Sequence, residues 1–377
     1  MTNKFFSIKK DLNHTCINIL GCRIKFRKKI KAVVFIDCGG IGDYIIQRKY
    51  LRYLRQSPKF SGYKLVYLSK FPYRNIFNNY DKDIFDEIVF YSGIPFKELK
   101  KKLKKYSFDY LINLFTLNEK FDFSTWVVRR QLFNIKAKCK ITGLIASENW
   151  EKNKNTKIWD KLIVLEPNCF ELEGQRQFFE KLLEIPIPQE DTSMQPLCDF
   201  KKDYIVISLF ANNVERNFSN EKWAYIINHI LQNSNDSLQL LFVGVDMDRK
   251  GLREILKNVD DKHNRCKDLI GLTDVSLLPS LLAGAKFLLA IETGTVHIAN
   301  AVNTKVICLS SGSFYGRFLP YSSRNVEYIF PEKFQHLIDT NNQTELQKVY
   351  TNDSPWSPAD IDVEQIIKVV DRHLKNI

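Results

Sequence analysis

The feature of this sequence that most constrains its fold is an alternation of short apolar runs with helical patterns, which occurs in two separate series. The apolar runs lie at 32–37, 64–69, 87–92 and 110–115 in the first series, and at 204–211, 238–244, 268–271, 287–292 and 305–311 in the second. Continuous runs of this kind, rich in branched and aromatic residues, are typical of parallel strands covered on both faces. Amphipathic patterns between them, such as 220–233, predict helices. The sequence therefore predicts an α/β protein with two Rossmann-like domains, whose parallel sheets face a central cleft.

The two series are separated by a stretch that interrupts the pattern, residues 184–203, which contains three prolines and several polar side chains. Such a composition is typical of a linker. The expected segments are a basic lead-in at 1–31, an N-terminal domain at 32–185, a linker at 186–203, a C-terminal domain at 204–355 and a C-terminal helix at 356–377. We expect this last helix to pack back on the N-terminal domain.

The formal charge of +13 calls for an anionic partner or surface. Cations interleaved with apolar residues are concentrated in RIKFRKKIK (23–31) and LKKKLKKY (99–106). These runs are either solvated faces or sites of attraction to anionic phospholipid or to a phosphorylated glycolipid. No nucleic-acid reader motif is recognisable, so we do not expect a nucleic-acid partner.

Several features indicate a cytoplasmic location, with possible attachment to the inner face of the membrane. No apolar stretch reaches the ~18 residues of a membrane span, and charges interrupt the N-terminus where a signal peptide would be apolar. The eight cysteines are scattered without a CxxC pair, which favours reduced thiols over disulfides or a zinc site.

The turn after the first apolar run, GGIGDY (39–44), contains Gly39, Gly40, Gly42 and Asp43. Its glycines do not follow the G-x-G-x-x-G spacing of a dinucleotide fingerprint, and the second strand does not end in an acid. No GK[ST] follows, as it would in a phosphate loop. What remains is a tight turn with one carboxylate at a helix start. Asp43 is then either a helix N-cap or a functional acid.

The stretch 288–311 places an acid, a threonine and a glycine at a strand end before a helix. Backbone N–H groups from Thr293 through Thr295 to His297 would point into the cleft, where a diphosphate binds readily. Glu292 and Thr293 could hold ribose hydroxyls or orient the turn. His297 is either a structural histidine or part of the phosphate site.

Two further loops carry charged candidates. Arg216 follows a strand end and would direct a cation into the same cleft, unless it is simply exposed. Asp246 and Asp248 form an acid pair that could hold a divalent cation, contact a ribose or cap a loop. The two-domain pattern argues against the metal.

Four motifs occur in an order that resembles a known family: GGIGDY (39–44), ERNFSNEKW (215–223), DLIGLTDVSLLPSLLAGAKF (268–287) and ETGTVHIANAV (292–302). Together they resemble the family 9 glycosyltransferases, typified by the ADP-heptose:lipopolysaccharide heptosyltransferases, from about residue 32 to about residue 330. The resemblance implies a GT-B fold and an inverting transfer without metal or cofactor. The donor would be a nucleotide-sugar, with ADP as one candidate, and the acceptor a glycolipid or oligosaccharide bound by the N-terminal domain.

The resemblance also implies roles for individual residues. Asp43 would be the general base, with Gly39, Gly40 and Gly42 clearing space for the acceptor. The C-terminal half would bind the donor through Arg216, Asp248, Glu292, Thr293, Gly294, Thr295, His297 and Arg317, the last in SFYGRFLPYS (313–322). The family usually has lysine at the position of Arg216 and aspartate at that of Glu292. These departures leave the donor sugar open.

Other functions on the same fold are a transferase of a different sugar, a sugar-nucleotide epimerase or hydrolase, and an inactive nucleotide-sugar-binding protein. Epimerases and hydrolases typically need more acids and histidines than this cleft offers, and the retained Asp43 argues against an inactive binder. The failed dinucleotide fingerprint disfavours a dehydrogenase.

Overall fold

The computed structural model describes residues 6–10, 14–19, 22–37, 39–69, 74–117, 132, 134–145, 158–200, 203–211, 213, 216–350 and 353–375. The first described residues form a small antiparallel sheet of strands β1 (Phe6–Lys10), β2 (His14–Ile19) and β3 (Cys22–Arg27). The lead-in at 1–31 therefore contains strands that the sequence pattern did not predict.

The N-terminal domain is built on a parallel sheet of six strands in the order β6-β5-β4-β7-β8-β9. The elements are β4 (Ile30–Asp37), α1 (Ile41–Gln56), β5 (Lys64–Ser69), α2 (Arg74–Tyr80), β6 (Glu87–Phe90), α3 (Phe96–Leu103), β7 (Tyr106–Leu117), β8 (Ala137–Ile145), β9 (Lys161–Leu165) and α4 (Glu171–Leu183). The four predicted strands are all present. Residues 32–37 of the central strand are at most 2% exposed, as expected for a strand covered by helices on both faces.

The C-terminal domain repeats this topology with a parallel sheet in the order β12-β11-β10-β13-β14-β15. Its elements are β10 (Tyr204–Ser208), α5 (Asn220–Asn233), β11 (Gln239–Phe242), α6 (Arg249–Leu256), β12 (Cys266–Asp268), α7 (Leu278–Gly284), β13 (Leu288–Ile291), α8 (Gly294–Ala301), β14 (Val306–Leu309), β15 (Val326–Ile329), α9 (Glu332–Asp339), α10 (Gln343–Tyr350) and α11 (Val363–Leu374). In both sheets the second and third strands lie on one side of the first strand, and the later strands lie on its other side. Rossmann-like domains bind their ligands at this switch in strand order. The two-domain α/β prediction is confirmed.

The segment 186–200 contains neither helix nor strand and touches both domains. On one side the N–H of Glu190 donates to the hydroxyl of Tyr50 in α1. On the other, the N–H of Met194 donates to the carbonyl of Ala301 in α8. This segment therefore passes along the junction of the two domains.

The C-terminal helix α11 packs on the C-terminal domain. This finding corrects the expectation from sequence that it packs on the N-terminal domain. Its apolar face, including Ile366 and Val370, joins the core cluster of α5. Asp371 accepts from His229 in α5 at 2.6 Å. In the part of the chain that the structure describes, no helix is long and apolar enough to cross a membrane.

Candidate functional site

The starts of two helices from different domains meet at the carboxyl ends of the central strands. Helix α1 follows β4, and helix α8 follows β13. A Cβ atom on Gly294 would lie 2.1 Å from Cγ2 of Ile41, and one on Gly42 would lie 2.5 Å from Cδ2 of His297. Glycine is therefore required at both positions for the domains to approach this closely. The structure thus brings the GGIGDY turn and the ETGTVH turn together.

Asp43 lies in the first turn of α1, but it is not the N-cap. The N-cap is Gly40, and the Asp43 carboxylate folds back so that Oδ2 accepts the Gly40 N–H at 2.6 Å. A Cβ on Gly39 would lie 2.6 Å from Cβ of Asp43. The space left by the glycines is thus filled by the Asp43 side chain and the His297 ring. This corrects the expectation that Gly39, Gly40 and Gly42 clear room for an acceptor.

Burial raises the pKa of Asp43 to about 6. The hydrogen bond from Gly40 opposes this shift, whereas the negative charges of Glu171 and Asp37 add to it, and the positive charge of Arg317 lowers it. A carboxylate with a pKa near 6 is mostly ionised at neutral pH and can still accept a proton effectively. Asp43 is therefore suited to general-base chemistry.

Asp37 and Glu171 are acids near Asp43 that the sequence analysis did not identify. Asp37 ends β4, and its carboxylate accepts the Gly39 N–H at 2.8 Å and the Tyr67 hydroxyl at 2.5 Å. Its place as the last residue of the first strand was the available signal. Glu171 begins α4, and nothing in the local sequence distinguishes it from an ordinary helix-start acid.

Arg317 lies beside Asp43, bound to a residue of the N-terminal part of the chain. Its Nε is 2.7 Å from Oε2 of Glu171, and its carbonyl accepts the Glu171 N–H at 2.7 Å. Both side chains are buried, at 3% and 6% exposure. The guanidinium that the sequence analysis placed on the donor phosphates therefore ties α4 to the C-terminal domain in this conformation.

Arg216 and Glu292 lie on the opposite side of the site, at the carboxyl ends of β10 and β13. Nη1 of Arg216 is 4.0 Å from the Glu292 carboxylate, and Nη2 donates to Asp353 at 2.8 Å. Burial raises the pKa of Glu292, against the lowering effects of Arg216 and of a 2.6 Å hydrogen bond from Ser310. Nε of Arg216 is buried and has no partner among the described residues, so the cation keeps donor capacity for a ligand.

The start of α8 also carries unused donors. Thr293 is its N-cap, and the hydroxyl of Thr293 is buried without a hydrogen-bond partner in the described part of the chain. The hydroxyl of Thr295 lies 3.5 Å from that of Ser208. A helix N-terminus binds anions through its free N–H groups and its dipole. A diphosphate here would satisfy these groups.

His297 lies one turn into α8 and faces Gly42. Its Nδ1 is 2.6 Å from the hydroxyl of Tyr321. Burial lowers the pKa of His297 to about 4, so the ring is neutral at physiological pH. It can hydrogen-bond a substrate but does not supply a positive charge.

Asp248 lies in the turn after β11. Its Oδ2 accepts the Val245 N–H at 2.9 Å, and burial raises its pKa. Asp246 is 82% exposed on its side chain and pairs with Arg249. Within the residues that the structure describes, no group of three His, Cys, Asp or Glu side chains is arranged to hold a metal ion. In this structure Asp248 caps a loop.

Comparisons with known proteins identify the family and the fold of this chain. The sequence model of the family described as "Glycosyltransferase family 9 (heptosyltransferase)" matches residues 96–350. Among curated proteins, no significant match to this sequence is found.

Solved structures share the fold over nearly the whole chain. A family 9 glycosyltransferase from Veillonella parvula has a TM-score of 0.61 at 14% identity, covering 93% of this chain and 99% of its own. The ADP-heptose lps heptosyltransferase II of E. coli has a TM-score of 0.60 at 14% identity, covering 91% and 99%. The E. coli heptosyltransferase WaaC, solved with ADP-2-deoxy-2-fluoro heptose, has a TM-score of 0.56 at 13% identity, covering 83% and 100%. The architecture is that of the GT-B glycosyltransferases.

Proposed function

Because the chain belongs to glycosyltransferase family 9, we propose that it transfers a heptose or similar sugar from a nucleotide-diphosphate donor to a lipopolysaccharide core or related glycan. The observation that carries this proposal is the juxtaposition of Asp43 with the start of α8. A carboxylate whose pKa is about 6 lies across the domain junction from Thr293 and Arg216. Within the described residues, the Thr293 hydroxyl and the Arg216 Nε have no hydrogen-bond partner. A base and a diphosphate site on opposite sides of one cleft suit group transfer between two substrates.

On the donor side, the diphosphate binds against the N-terminus of α8, where Thr293 and the backbone of Gly294 and Thr295 donate hydrogen bonds. Arg216 adds a cation that can grip two oxygens at once, which a lysine in that position could not do. As the glycosidic bond breaks, negative charge develops on the leaving diphosphate, and these fixed donors stabilise it. Glu292 holds the turn and Arg216 in place through its contacts with Ser310 and Arg216.

On the acceptor side, Asp43 takes the proton from the attacking hydroxyl, and that hydroxyl displaces the diphosphate in a single step with inversion at the anomeric carbon. The step needs no metal, because the leaving charge is met by Arg216 and the helix start. Arg317 is beside Asp43 in this conformation and could reach the diphosphate only after release from Glu171. Asp248 keeps its proposed contact with the donor ribose on the strength of the resemblance alone.

The partners that follow are a nucleotide-sugar, with ADP as the first candidate, and a glycolipid or oligosaccharide acceptor. No cofactor and no nucleic acid enter the proposed reaction. A cytoplasmic location at the inner face of the membrane is part of the same proposal, because nucleotide-sugars are cytoplasmic and the chain carries a net charge of +13.

The test is a donor screen followed by a transfer assay. Thermal unfolding is measured with ADP, UDP, GDP and CDP sugars, since a ligand at 100 times its dissociation constant adds ~2.7 kcal/mol of stability. The donor that shifts the midpoint is then incubated with truncated lipopolysaccharide, with and without EDTA. We expect a glycosylated product of inverted configuration, formed at the same rate in EDTA.

Other outcomes would reject parts of the proposal. Loss of activity in EDTA would show that a metal is required. An epimerised donor without transfer would favour the epimerase alternative, and tight donor binding with no product from any acceptor would favour a binding protein.

A further inference from the structure

A cavity of about 820 Å³ lies in the N-terminal domain, away from the junction with the C-terminal domain. Its walls come from the residue before β4, from helix α3 and the turn after it, and from the first residues of β7 and β8. The side chains of Leu103, Tyr106, Phe108 and Ile135 form an apolar floor, and each residue is at most 7% exposed. The cavity therefore has a preformed base built from the core of the domain.

Seven lysines line this cavity, which we call the lysine cavity. Six of them are exposed and have no carboxylate within 4 Å in the described part of the chain: Lys29, Lys97, Lys100, Lys101, Lys104 and Lys136. The seventh, Lys138, is paired with Asp109 at 2.8 Å. The described residues therefore bring together positive charge that their carboxylates do not neutralise, and an external anion would neutralise it.

The lysine cavity lies at the amino ends of the strands of the N-terminal sheet, whereas the candidate site lies at their carboxyl ends. Lys29 precedes β4, and Asp43 follows the other end of that strand. Strand β4 has eight residues at ~3.3 Å each, so these two ends of the sheet are about 26 Å apart. An anion bound in the lysine cavity therefore cannot be the diphosphate bound at α8.

The type of cation indicates the class of anion. In the described part of the chain, all seven cations that line the cavity are lysines. Lysines are hydrated point charges on flexible stems, whereas arginine is preferred for a bidentate grip on a single phosphate. The aromatic rings of Tyr106 and Phe108 are buried in the floor, so they are not available for stacking bases of a single-stranded nucleic acid. Many mobile lysines around one exposed face suit the diffuse negative charge of a lipid surface.

We propose that the lysine cavity is the docking site of this protein on an anionic phospholipid membrane. Phe96, whose ring lies 4.7 Å from the Lys100 ammonium, would lie at the lipid interface with the lysines. Docking through the lysine cavity holds Asp43 about 26 Å from the lipid phosphates, which is the length of strand β4. At this distance, the acceptors that can react are glycolipids in which several sugars separate the reactive sugar from the lipid. This consequence rests on the proposed function.

The test is cosedimentation of the full chain with vesicles, which does not depend on activity. Vesicles of phosphatidylcholine alone are compared with vesicles containing 40% phosphatidylglycerol. The test variant replaces four lysines of the cavity by glutamine: Lys97, Lys100, Lys101 and Lys104. The matched control replaces four exposed lysines of the C-terminal domain: Lys250, Lys305, Lys333 and Lys368. Both variants lose the same charge, and circular dichroism checks that both are folded.

We expect the wild type and the control variant to bind the anionic vesicles at 0.1 M salt, and binding to vanish at 1 M salt as the Debye length falls to about 3 Å. The cavity variant should bind at least about tenfold more weakly, since each lysine near such a surface strengthens binding roughly fivefold. Asp43→Asn should sediment as the wild type, which separates this inference from the proposed function.

Equal losses in the cavity and control variants would overturn the proposal, because net charge alone would then explain binding. Saturable binding of inositol hexakisphosphate or of a short single-stranded DNA, without any vesicle binding, would also overturn it. Those results would assign the lysine cavity to a soluble polyanion or to nucleic acid.

Discussion

The two domains share one topology but differ in what they place at the end of the central strand. In the N-terminal domain the turn between β4 and α1 is filled by acidic groups, with Asp37 bonded to Gly39 and Asp43 bonded to Gly40. In the C-terminal domain the turn before α8 has an unpartnered hydroxyl at Thr293 and a nearby cation at Arg216, within the described residues. The same backbone arrangement therefore presents carboxylates that can take a proton in the N-terminal domain. In the C-terminal domain it presents hydrogen-bond donors that can bind an anion.

This difference shows that a glycine-rich strand–turn–helix is not by itself a nucleotide site. The helix N-terminus of α1 would attract an anion, but the Asp43 carboxylate already occupies its first free N–H. A phosphate would meet like charges from Asp37 and Asp43 there. Among the described residues, no carboxylate accepts a hydrogen bond from the N–H groups at the start of α8, and the neighbouring Glu292 lies beside the Arg216 cation. The nucleotide is therefore expected on that side only.

The largest expected effect is the loss of transfer rate in Asp43→Asn. Asparagine can still accept the Gly40 N–H but cannot take a proton, and general-base catalysis contributes about 10²- to 10⁴-fold. We expect kcat to fall by that factor. Asp83→Asn, the same change at an exposed turn of the same domain, is the matched control. A kcat within threefold of wild type in Asp43→Asn would rule out the base assignment.

Next in size is the effect of Arg216→Gln on donor binding. Charge-assisted hydrogen bonds to a diphosphate are worth about 1.5–3 kcal/mol, so the dissociation constant of ADP should rise about 10- to 100-fold by calorimetry. Arg253→Gln, an exposed arginine of α6, should bind as the wild type. If Arg216→Gln also binds ADP normally, the cation has another role.

Asp43→Asn is also expected to stabilise the fold at neutral pH. The unfolded chain loses this proton near the usual pKa of 3.8, whereas the folded protein loses it near pH 6. The stability that Asp43 contributes is therefore present below 3.8 and lost as pH rises through 6. Asparagine removes this loss, which amounts to about 3 kcal/mol. Urea unfolding of the two proteins should give similar free energies at pH 4 and diverge by pH 7. A divergence in the opposite direction would contradict the raised pKa.

The smallest effect is a shift in the pH–rate profile on changing Glu171. In the wild type, kcat/KM should rise with pH through about 6 as Asp43 ionises. Asp37, Glu171 and Arg317 face this carboxylate. Glu171→Gln removes one negative charge and leaves Arg317 free to act on Asp43, so the midpoint should move to lower pH. Glu173→Gln on the same helix should leave the midpoint in place. An upward shift or no shift in Glu171→Gln would show that this pair does not tune Asp43.

Much of the fold could be predicted because its signal is local. The helix 220–233 has the bounds that its pattern predicted, and Ser219 caps it. Strands β8, β9 and β15 were missed because they lie toward the sheet edges, where polar residues such as Lys138, Lys140 and Glu327 alternate with apolar ones. Strand β3 of the lead-in was missed because its alternating cations were interpreted as a charge run.

The candidate site was predictable only in part, because its contacts span the whole chain. Asp43, Thr293 and His297 could be proposed from the sequence because each follows the end of a strand by a few residues, and their roles stay predictions. The pair of Arg317 with Glu171 joins residues 146 positions apart, and no local pattern contains such a contact. The same holds for the filling of the Gly42 position by His297.

The central claim is that the first turn carries the base and the second turn binds the nucleotide. The most direct test is calorimetric titration of the Asp43→Asn protein with ADP, or with the diphosphate that gives the largest shift in the donor screen. We expect an affinity equal to that of the wild type within about twofold, together with lost transfer. A loss of nucleotide affinity comparable to that of Arg216→Gln would contradict it, because the GGIGDY turn would then belong to the donor site.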